Sequence, residues 1–394
     1  MSVSIDELLT RAVAEIITED EMRAKLKLGR PLRLKLGLDP SRPNLHVGHA
    51  VGLRKLRAFQ ELGHTVVLIV GDWTAQVGDP SGRDESRQML TPEVVQANAQ
   101  TYMDQFFLVV DKDKTEVRWQ SEWFTAFKLA DVFNLTSRFT LADMLAHETF
   151  RKRWDEGRPL SLMELMYPLL QGYDSVAIQS DVEFGGTDQK FNNLAGRQLQ
   201  ASLGQAPQSV FLWPLLIGLD GRKMSKSYGN TVDLTDPPAE MYGKVMSTAD
   251  NVLVEYFTLA TDVPMAEIRE MEQALAANAV NPRDLKMRLG REIVTMFHGA
   301  TAAREAEAEF VRIFQRRELP SDMPTVTVAA PTPLVDLLVT VGLAASKSEA
   351  RRLIAQGGVE IGGERVKDAQ AVVPAQEGLV VQVGKRRFVR VTVG

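Results

Sequence analysis

A doubly wound, mostly parallel α/β sheet is the fold class this chain predicts, on three observations. Two short runs, Leu32 to Leu36 and Thr65 to Val70, read as buried strands, the second a continuous β-branched run of the kind parallel sheets bury on both faces. Between them, residues 50–62 place apolar side chains at helical spacing and close at Gly63. Further strand-like runs recur at Asp181 to Phe184 and Phe211 to Ile217. Strand, helix, strand is the βαβ unit of such sheets, and their ligands bind at the carboxyl ends of the strands.

Residues 1–30 read as helix, with Leu8, Leu9, Val13, Ile16 and Ile17 as an apolar stripe. After the first strand comes LGLDPSRPNLHVGH, residues 36–49. Pro40 and Pro43 bar regular structure there. Asn44 stands where an N-cap belongs, and His46 and His49 then share a face in the first helical turn. A helix N-terminus offers free N–H groups and partial positive charge, which suits phosphate. Alone, the HxGH pattern is short enough that two surface histidines at a helix start are the slightly better reading.

The second strand runs into GDWTAQVGDPSG, residues 71–82. Asp79 there can pair with a cation and Thr74 can hydrogen-bond, or the stretch is a turn whose Asp caps a helix. Residues 92–150 read as mixed helices with a strand at Glu116 to Gln120 and an apolar helix from Phe124 to Leu145. Trp119, Trp123 and Phe127 read as core. In SLMELMYPLLQGYDS, residues 161–175, Tyr167, Gln171 and Asp174 fall at i, i+4 and i+7 on one helix face among Met163, Met166, Leu169 and Leu170. Polar groups lining an apolar face describe a pocket that reads a ligand's polar features. GGTDQ, residues 185–189, follows the next strand; paired glycines admit close approach, and an acid there can hold ribose hydroxyls. After the last strand comes Lys223-Met224-Ser225-Lys226-Ser227, set between glycines. Two ammonium groups on a mobile loop can neutralise a departing pyrophosphate.

Residues 235–319 read as helices at 237–246, 252–259, 265–278 and 282–314. The last carries Arg283, Lys286, Arg288 and Arg291, which either touch RNA or balance nearby acids. Residues 320–334 are proline-rich and read as a linker. Beyond it, 333–342 is helical, Ser346 opens SKSEARRLIAQGG with Lys347, Arg351 and Arg352 on one face, and VEIGGERV, containing Arg365, reads as two strands about a Gly-Gly turn.

The chain has 394 residues, 44% hydrophobic and 25% charged, as expected of a soluble protein with two or three domains. No run of eighteen apolar residues occurs, so no membrane span is expected, and the acidic, amphipathic N-terminus is not a signal peptide. Without cysteine, disulfides, thiolate catalysis and thiolate metal sites are excluded, consistent with a cytoplasmic home. Net charge is −5, yet residues 335–394 hold 9 Lys+Arg against 6 Asp+Glu, so the tail is +3 and the rest −8. The tail is thus the local candidate for a polyanion.

HVGH and KMSKS together resemble the class I aminoacyl-tRNA synthetases, and the remaining motifs resemble the tyrosyl-tRNA synthetases over nearly the whole chain. The resemblance implies a Rossmann-like catalytic domain over 1–232 with a connective insertion around 110–160 that forms a dimer interface. An α-helical anticodon-binding-type domain over 233–319 would come next, and an S4-like RNA-binding domain over 335–394 would follow the linker. It implies ATP-dependent ligation of L-tyrosine to tRNA through tyrosyl-adenylate. His46, His49, Lys223, Lys226 and Ser227 would act on the phosphates. Asp39, Ser41, Gly48, Gly186, Asp188, Leu215 and Leu216 would hold ATP, the two leucines sandwiching adenine. Lys35, Thr74, Asp79, Tyr167, Gln171, Asp174 and Gln189 would hold tyrosine, and Lys347, Arg351, Arg352 and Arg365 would meet tRNA. Mg²⁺ would arrive with ATP, since no dedicated carboxylate cage is visible.

The match departs at Lys35 and Leu36, where the commonest bacterial branch has Tyr and Cys, and at Lys190-Phe191 in place of Trp-Gly. These changes fit a second bacterial subtype. Lys35 either approaches the substrate phenol or points away. The nearest rivals are the tryptophanyl relative, which needs neither Asp174 facing a hydroxyl nor the tail, and a non-catalytic RNA-binding protein on the same scaffold.

Overall fold

A computed structural model describes residues 4–40, 44–81, 90–225, 228–315, 323–384 and 387–394. It divides into two compact units, 1–303 and 304–394.

The first unit is built on a six-stranded sheet of β1 (Glu15–Ile17), β2 (Arg33–Leu38), β3 (Thr65–Val70), β4 (Thr115–Trp119), β5 (Val182–Gly186) and β6 (Ser209–Trp213), ordered β1-β6-β5-β2-β3-β4. All pairings are parallel except the antiparallel edge strand β1. The chain runs outward from β2 through β3 to β4, then returns to lay β5 on the other side of β2. That reversal makes the β2–β5 boundary the topological switch point, where a crevice opens at the strand ends. Behind the site, Phe59, Phe184 and Phe211 form an aromatic core, with Phe184 and Phe211 stacked at 4.7 Å between ring centroids.

Three local expectations change. The first thirty residues are not continuous helix: Ile5–Thr10 and Glu19–Leu26 are helical, but Glu15–Ile17 is a strand. Ile16 lies opposite Phe211, so β-branched side chains cover the edge that β6 would otherwise expose. The apolar stretch 124–145 is broken into Ser121–Phe124, Leu129–Thr136 and Leu141–Met144. The Asp131 and Asp143 carboxylates each accept a backbone N–H three residues earlier, both at 2.8 Å, and these local caps restart the helix twice. The Val47–Glu61 helix is capped at His46 rather than Asn44.

Helices Pro238–Met246, Leu253–Ala260 and Met265–Ala276 form close to their expected positions but pack with the sheet as one unit. The Arg11 guanidinium donates to the carbonyls of Phe257, Thr258 and Thr261, closing that helix end. On the long Pro282–Phe310 helix, Arg288 pairs with Glu267 at 2.6 Å and Lys286 with Asp250, so these two cations balance acids.

The second unit carries a five-stranded sheet, β7 (Thr325–Thr327), β9 (Val359–Ile361), β10 (Glu364–Val366), β12 (Val380–Val383) and β13 (Arg387–Thr392), with the small pair β8 (Thr332–Pro333) and β11 (Val372–Val373). The linker expected over 320–334 is corrected here. Thr325–Thr327 pair in parallel with Arg390–Thr392, and Thr332–Pro333 pair with β11. Threonine and valine favour the ladder, and Pro333 is tolerated in a two-residue edge strand. The expected Gly-Gly hairpin joins β9 to β10, with φ of 59° at Gly362 and 85° at Gly363, as a two-residue turn of this hand demands. Leu334–Thr340 and Lys347–Ala355 pack on this sheet over Leu338, Ile354, Val359, Val381 and Val391.

Among the described residues no helix is long and apolar enough to cross a membrane.

Candidate active site

The two motifs meet at the end of β2. The chain leaving the late loop pairs with the chain entering the histidine turn: Val47 N–H donates to the Val232 carbonyl at 2.9 Å, and Leu234 N–H to the Leu45 carbonyl at 3.0 Å. The His46 and His49 rings lie 3.9 Å apart, centroid to centroid, and His49 Nδ1 accepts from the His46 backbone N–H at 3.2 Å. Gly48 is required here. A Cβ on it would stand 3.0 Å from the His46 ring and 3.5 Å from Met224 Sδ. Met224 is buried beneath this turn, its N–H bonded to the Leu216 carbonyl at 2.9 Å. Asn230 staples the base of the loop, accepting from Ser225 N–H and donating to Asp220 and the Lys223 carbonyl.

Lys223 crosses to β5, its Nζ 2.7 Å from Asp188 Oδ2. A Cβ on Gly186 would lie 2.6 Å from Asp188 Oδ1 and 2.8 Å from Leu215, so the backbone of GGTDQ is bare at this crevice. Asp188, Gly186, Leu215, Lys223 and the two histidines therefore converge on the switch point. Ser41, Lys226 and Ser227 lie outside the described residues.

A second group lines the adjoining pocket. Asp39, at the end of β2, accepts from Tyr167 Oη at 2.8 Å and Thr74 Oγ1 at 2.6 Å. Gln189 Nε2 donates to Asp79 Oδ2 at 2.7 Å, and Ser81 N–H to Asp79 Oδ1 at 2.8 Å. Burial raises the Asp79 carboxyl above its ordinary value against the pull of the Ser81 N–H, and Asp188 adds to the rise. Burial and the Asp39 charge likewise push the Tyr167 phenol well up. Asp39, expected with Gly186 and Asp188, thus shares hydrogen bonds with Thr74 and Tyr167.

Asp174, almost wholly buried, forms the floor. Gln120 Nε2 donates to it at 2.8 Å and Trp123 Nε1 at 3.1 Å. Gln120 cannot turn over, because its Oε1 accepts from the N–H groups of Trp73 and Thr74. Burial pushes the Asp174 carboxyl up to about 7, opposed first by the Lys35 cation and then by the Gln120 donor. Lys35 points into the sheet, onto the Gln171 carbonyl, Ser175 and Glu183. Gln171 turns the same way, toward Glu183 and Asn193.

Sequence reasoning missed Gln120, Ser175, Glu183 and Gln208, and took Trp123 for simple core. The available signal was position: Gln120 follows β4 directly, at the carboxyl edge where ligands gather. In the second unit Lys347, Arg351, Arg352 and Arg365 are all exposed. Lys347 pairs with Asp336, and Arg352 and Arg365 stand at 4.0 and 3.7 Å from Glu349 and Glu360.

Residues 27–315 match the family model of class I tRNA synthetases for tryptophan and tyrosine, which agrees with the switch-point crevice and its paired motifs. Fold and site thus define a class I aminoacyl-tRNA synthetase. Residues 315–391 match the model of the tyrosine–tRNA ligase SYY-like C-terminal domain. The chain is 54% identical over 387 residues to the tyrosine–tRNA ligase of Dehalococcoides mccartyi, across 98% of this chain and 97% of that one. It is 51% identical over 389 residues to that of Thermotoga maritima, with the same coverage. Its fold resembles the C-terminally truncated mitochondrial tyrosyl-tRNA synthetase of Aspergillus nidulans, with a TM-score of 0.64 at 21% identity over 78% of this chain and 93% of that one. The chain belongs to the tyrosyl-tRNA synthetases, enzymes that ligate tyrosine to tRNA.

Proposed function

We propose that this site joins tyrosine to tRNA in two steps, with the following division of labour. A tyrosine carboxylate oxygen attacks the α-phosphorus of ATP, the bond from that phosphorus to the bridging oxygen breaks, and pyrophosphate leaves. No side chain becomes covalent. Placement of the reactants and relief of charge on the pentavalent phosphorus supply the rate. His46 and His49, at a helix N-terminus, donate to the phosphates, and Lys223, with Lys226 and Ser227, neutralises the departing pyrophosphate. Asp188 and Gly186 hold the ribose, Leu215 and Leu216 the adenine, with Ser41 and Gly48 beside the phosphates. Thr74, Asp79, Tyr167 and Gln189 surround the amino group of tyrosine, with Asp39 behind them and Gln171 below. Asp174 accepts from the phenol. Magnesium enters on ATP as part of the substrate.

In the second step a terminal ribose hydroxyl of tRNA attacks the tyrosyl carbonyl and AMP leaves. The exposed cations Lys347, Arg351, Arg352 and Arg365 of an S4-like tail hold the tRNA backbone. The enzyme works as a homodimer in the cytoplasm, beside its tRNA. Exposed Leu129, Phe133, Leu141 and Trp154 along the insertion support a partner surface, since such apolar side chains gathered in one region mark interaction sites.

The observation that carries the reading is the floor of the pocket. A buried carboxylate held by Gln120 and Trp123 keeps free acceptor capacity for a ligand hydroxyl, which tyrosine has and phenylalanine and tryptophan lack. Amino-acid-dependent exchange of pyrophosphate into ATP tests it. Exchange with tyrosine is expected; exchange driven by tryptophan, or by none, overturns it.

A further inference from the structure

Lys35 and Glu183 are direct register partners on β2 and β5. Their Nζ and Oε1 stand 2.9 Å apart, and their side chains are 0% and 1% exposed. The Lys35 ammonium also donates to the Gln171 carbonyl at 2.6 Å and to Ser175 Oγ at 2.8 Å. An ammonium has three N–H donors and accepts nothing. All three are committed, so Lys35 has none left for a phenol. The Glu183 carboxylate is equally engaged, by Gln171 Nε2 at 3.1 Å, Ser175 Oγ at 3.2 Å and Gln208 Nε2. Gln171 and Ser175 sit one turn apart on the Leu162–Ala177 helix and bracket Asp174.

We propose that Lys35 is a positioning residue for tyrosine recognition: it fixes the Gln171–Ser175 turn that brackets Asp174 and sets a buried positive charge behind that turn, without touching the substrate. This rests on the reading that Asp174 accepts from the phenol, and leaves that reading to Asp174 rather than to Lys35. Removing the buried pair's positive member and removing its negative member should therefore act on Asp174 in opposite directions.

The charged groups bearing on Asp174 are Lys35 from β2, which favours the carboxylate, and Glu183 from β5, which opposes it. On its own helix Tyr167 senses Asp174 together with Asp39 and Asp79. Gln120 and Trp123 are neutral donors. Asp39, Asp79 and Tyr167 are common to every variant below, so a difference between variants reports the Lys35–Glu183 pair.

The experiment is the pH profile of kcat/KM for tyrosine in pyrophosphate exchange, using the full-length enzyme with folding checked by thermal denaturation. K35M is expected to move the acidic limb up by about one pH unit, and E183Q to move it down. If K35M alone does not fold, E183Q and the neutral double variant K35M/E183Q carry the same test: adding K35M to E183Q should move the limb back up. On the alkaline plateau, K35M should discriminate tyrosine from phenylalanine as the wild type does. Limbs that move the same way, or not at all, overturn the proposal, since loosened packing predicts no change of sign. Discrimination lost at every pH also overturns it, by assigning Lys35 a direct contact. D174N separates the two levels. If it keeps discrimination, the reading of Asp174 itself fails; if it loses discrimination while the limbs of K35M and E183Q stay fixed, only the role of Lys35 fails.

Discussion

Lys223 Nζ lies 2.7 Å from Asp188 Oδ2, tying the late basic loop to a carboxylate just past the end of β5. The lysine is 45% exposed, and an exposed pair of this kind contributes little to stability. It can therefore exchange for phosphate oxygens at small cost. Lys223→Ala is expected to slow adenylate formation by about 100- to 1000-fold, the scale of removing one preorganised donor from a developing charge. Its thermal stability should stay within about 0.5 kcal/mol of wild type. Single-turnover adenylate formation and a melting curve check both halves.

As the proposed phenol acceptor, Asp174 should make tyrosine use depend on pH. The carboxylate is a stronger acceptor for a phenol O–H than the neutral acid, and burial has raised this group to about 7. The charged acceptor is thus present above that pH and weakened as pH falls through it, so kcat/KM for tyrosine should decline on the acidic side while saturation by ATP changes less. Asp174→Asn should remove this limb and reduce the preference for tyrosine over phenylalanine by roughly 10- to 100-fold, about 1–3 kcal/mol for a mispaired buried polar group. Exchange assays with both amino acids from pH 5.5 to 8.5 would decide.

Two glycines predict opposite phenotypes. A Cβ at residue 186 meets Asp188 and Leu215, so Gly186→Ala should raise KM for ATP about tenfold or more while leaving KM for tyrosine unchanged. A Cβ at residue 52 falls 2.5 to 2.7 Å from the Trp213 indole, behind the site. Gly52→Ala should cost about 1–3 kcal/mol of stability through overpacking, with KM values preserved in the folded fraction. Denaturant titration beside steady-state kinetics distinguishes the two.

The Arg153–Glu164 pair is nearly dry, with side-chain exposures of 2% and 7%, and Glu164 also holds the Ser161 N–H at the start of the substrate helix. Arg153→Met removes the cation facing a buried carboxylate and should cost about 3–5 kcal/mol, whereas Arg153→Met with Glu164→Leu should recover most of it. Urea midpoints of the single and double variants test this.

Truncation has to respect the second unit. Because β7 begins at Thr325, cutting at 335 would strip that strand of its partner β13. Ending the chain after Gln315 removes the sheet whole. That variant should retain tyrosine-dependent exchange and lose most aminoacylation of tRNA, both measurable on one preparation.

Much of this was legible from residue patterns. The buried runs at 32–36 and 65–70, the spacing of Tyr167, Gln171 and Asp174, and the paired motifs named both the sheet and the crevice, because burial and helical periodicity are local signals. What escaped was set by distant partners. Glu183 looked like an ordinary charge in a short strand; only the register of β5 against β2 sets it on Lys35. Gln120 looked like the end of a strand, and Trp123 like core, until the return of the substrate helix brought Asp174 to both. The supposed linker hid a strand because its prolines outweighed three β-formers whose partner lies at the far end of the chain.

The backbone stitch between residues 45–47 and 232–234 has a further implication. The first half of the catalytic sheet meets the second in part through edge-to-edge pairing, here and along β2 and β5. A break placed inside the intervening insertion would leave two fragments with matching open borders, one bearing the imidazoles and the other the ammonium loop. The enzyme is in that sense divisible, and reunion of its halves would switch on chemistry that neither contains.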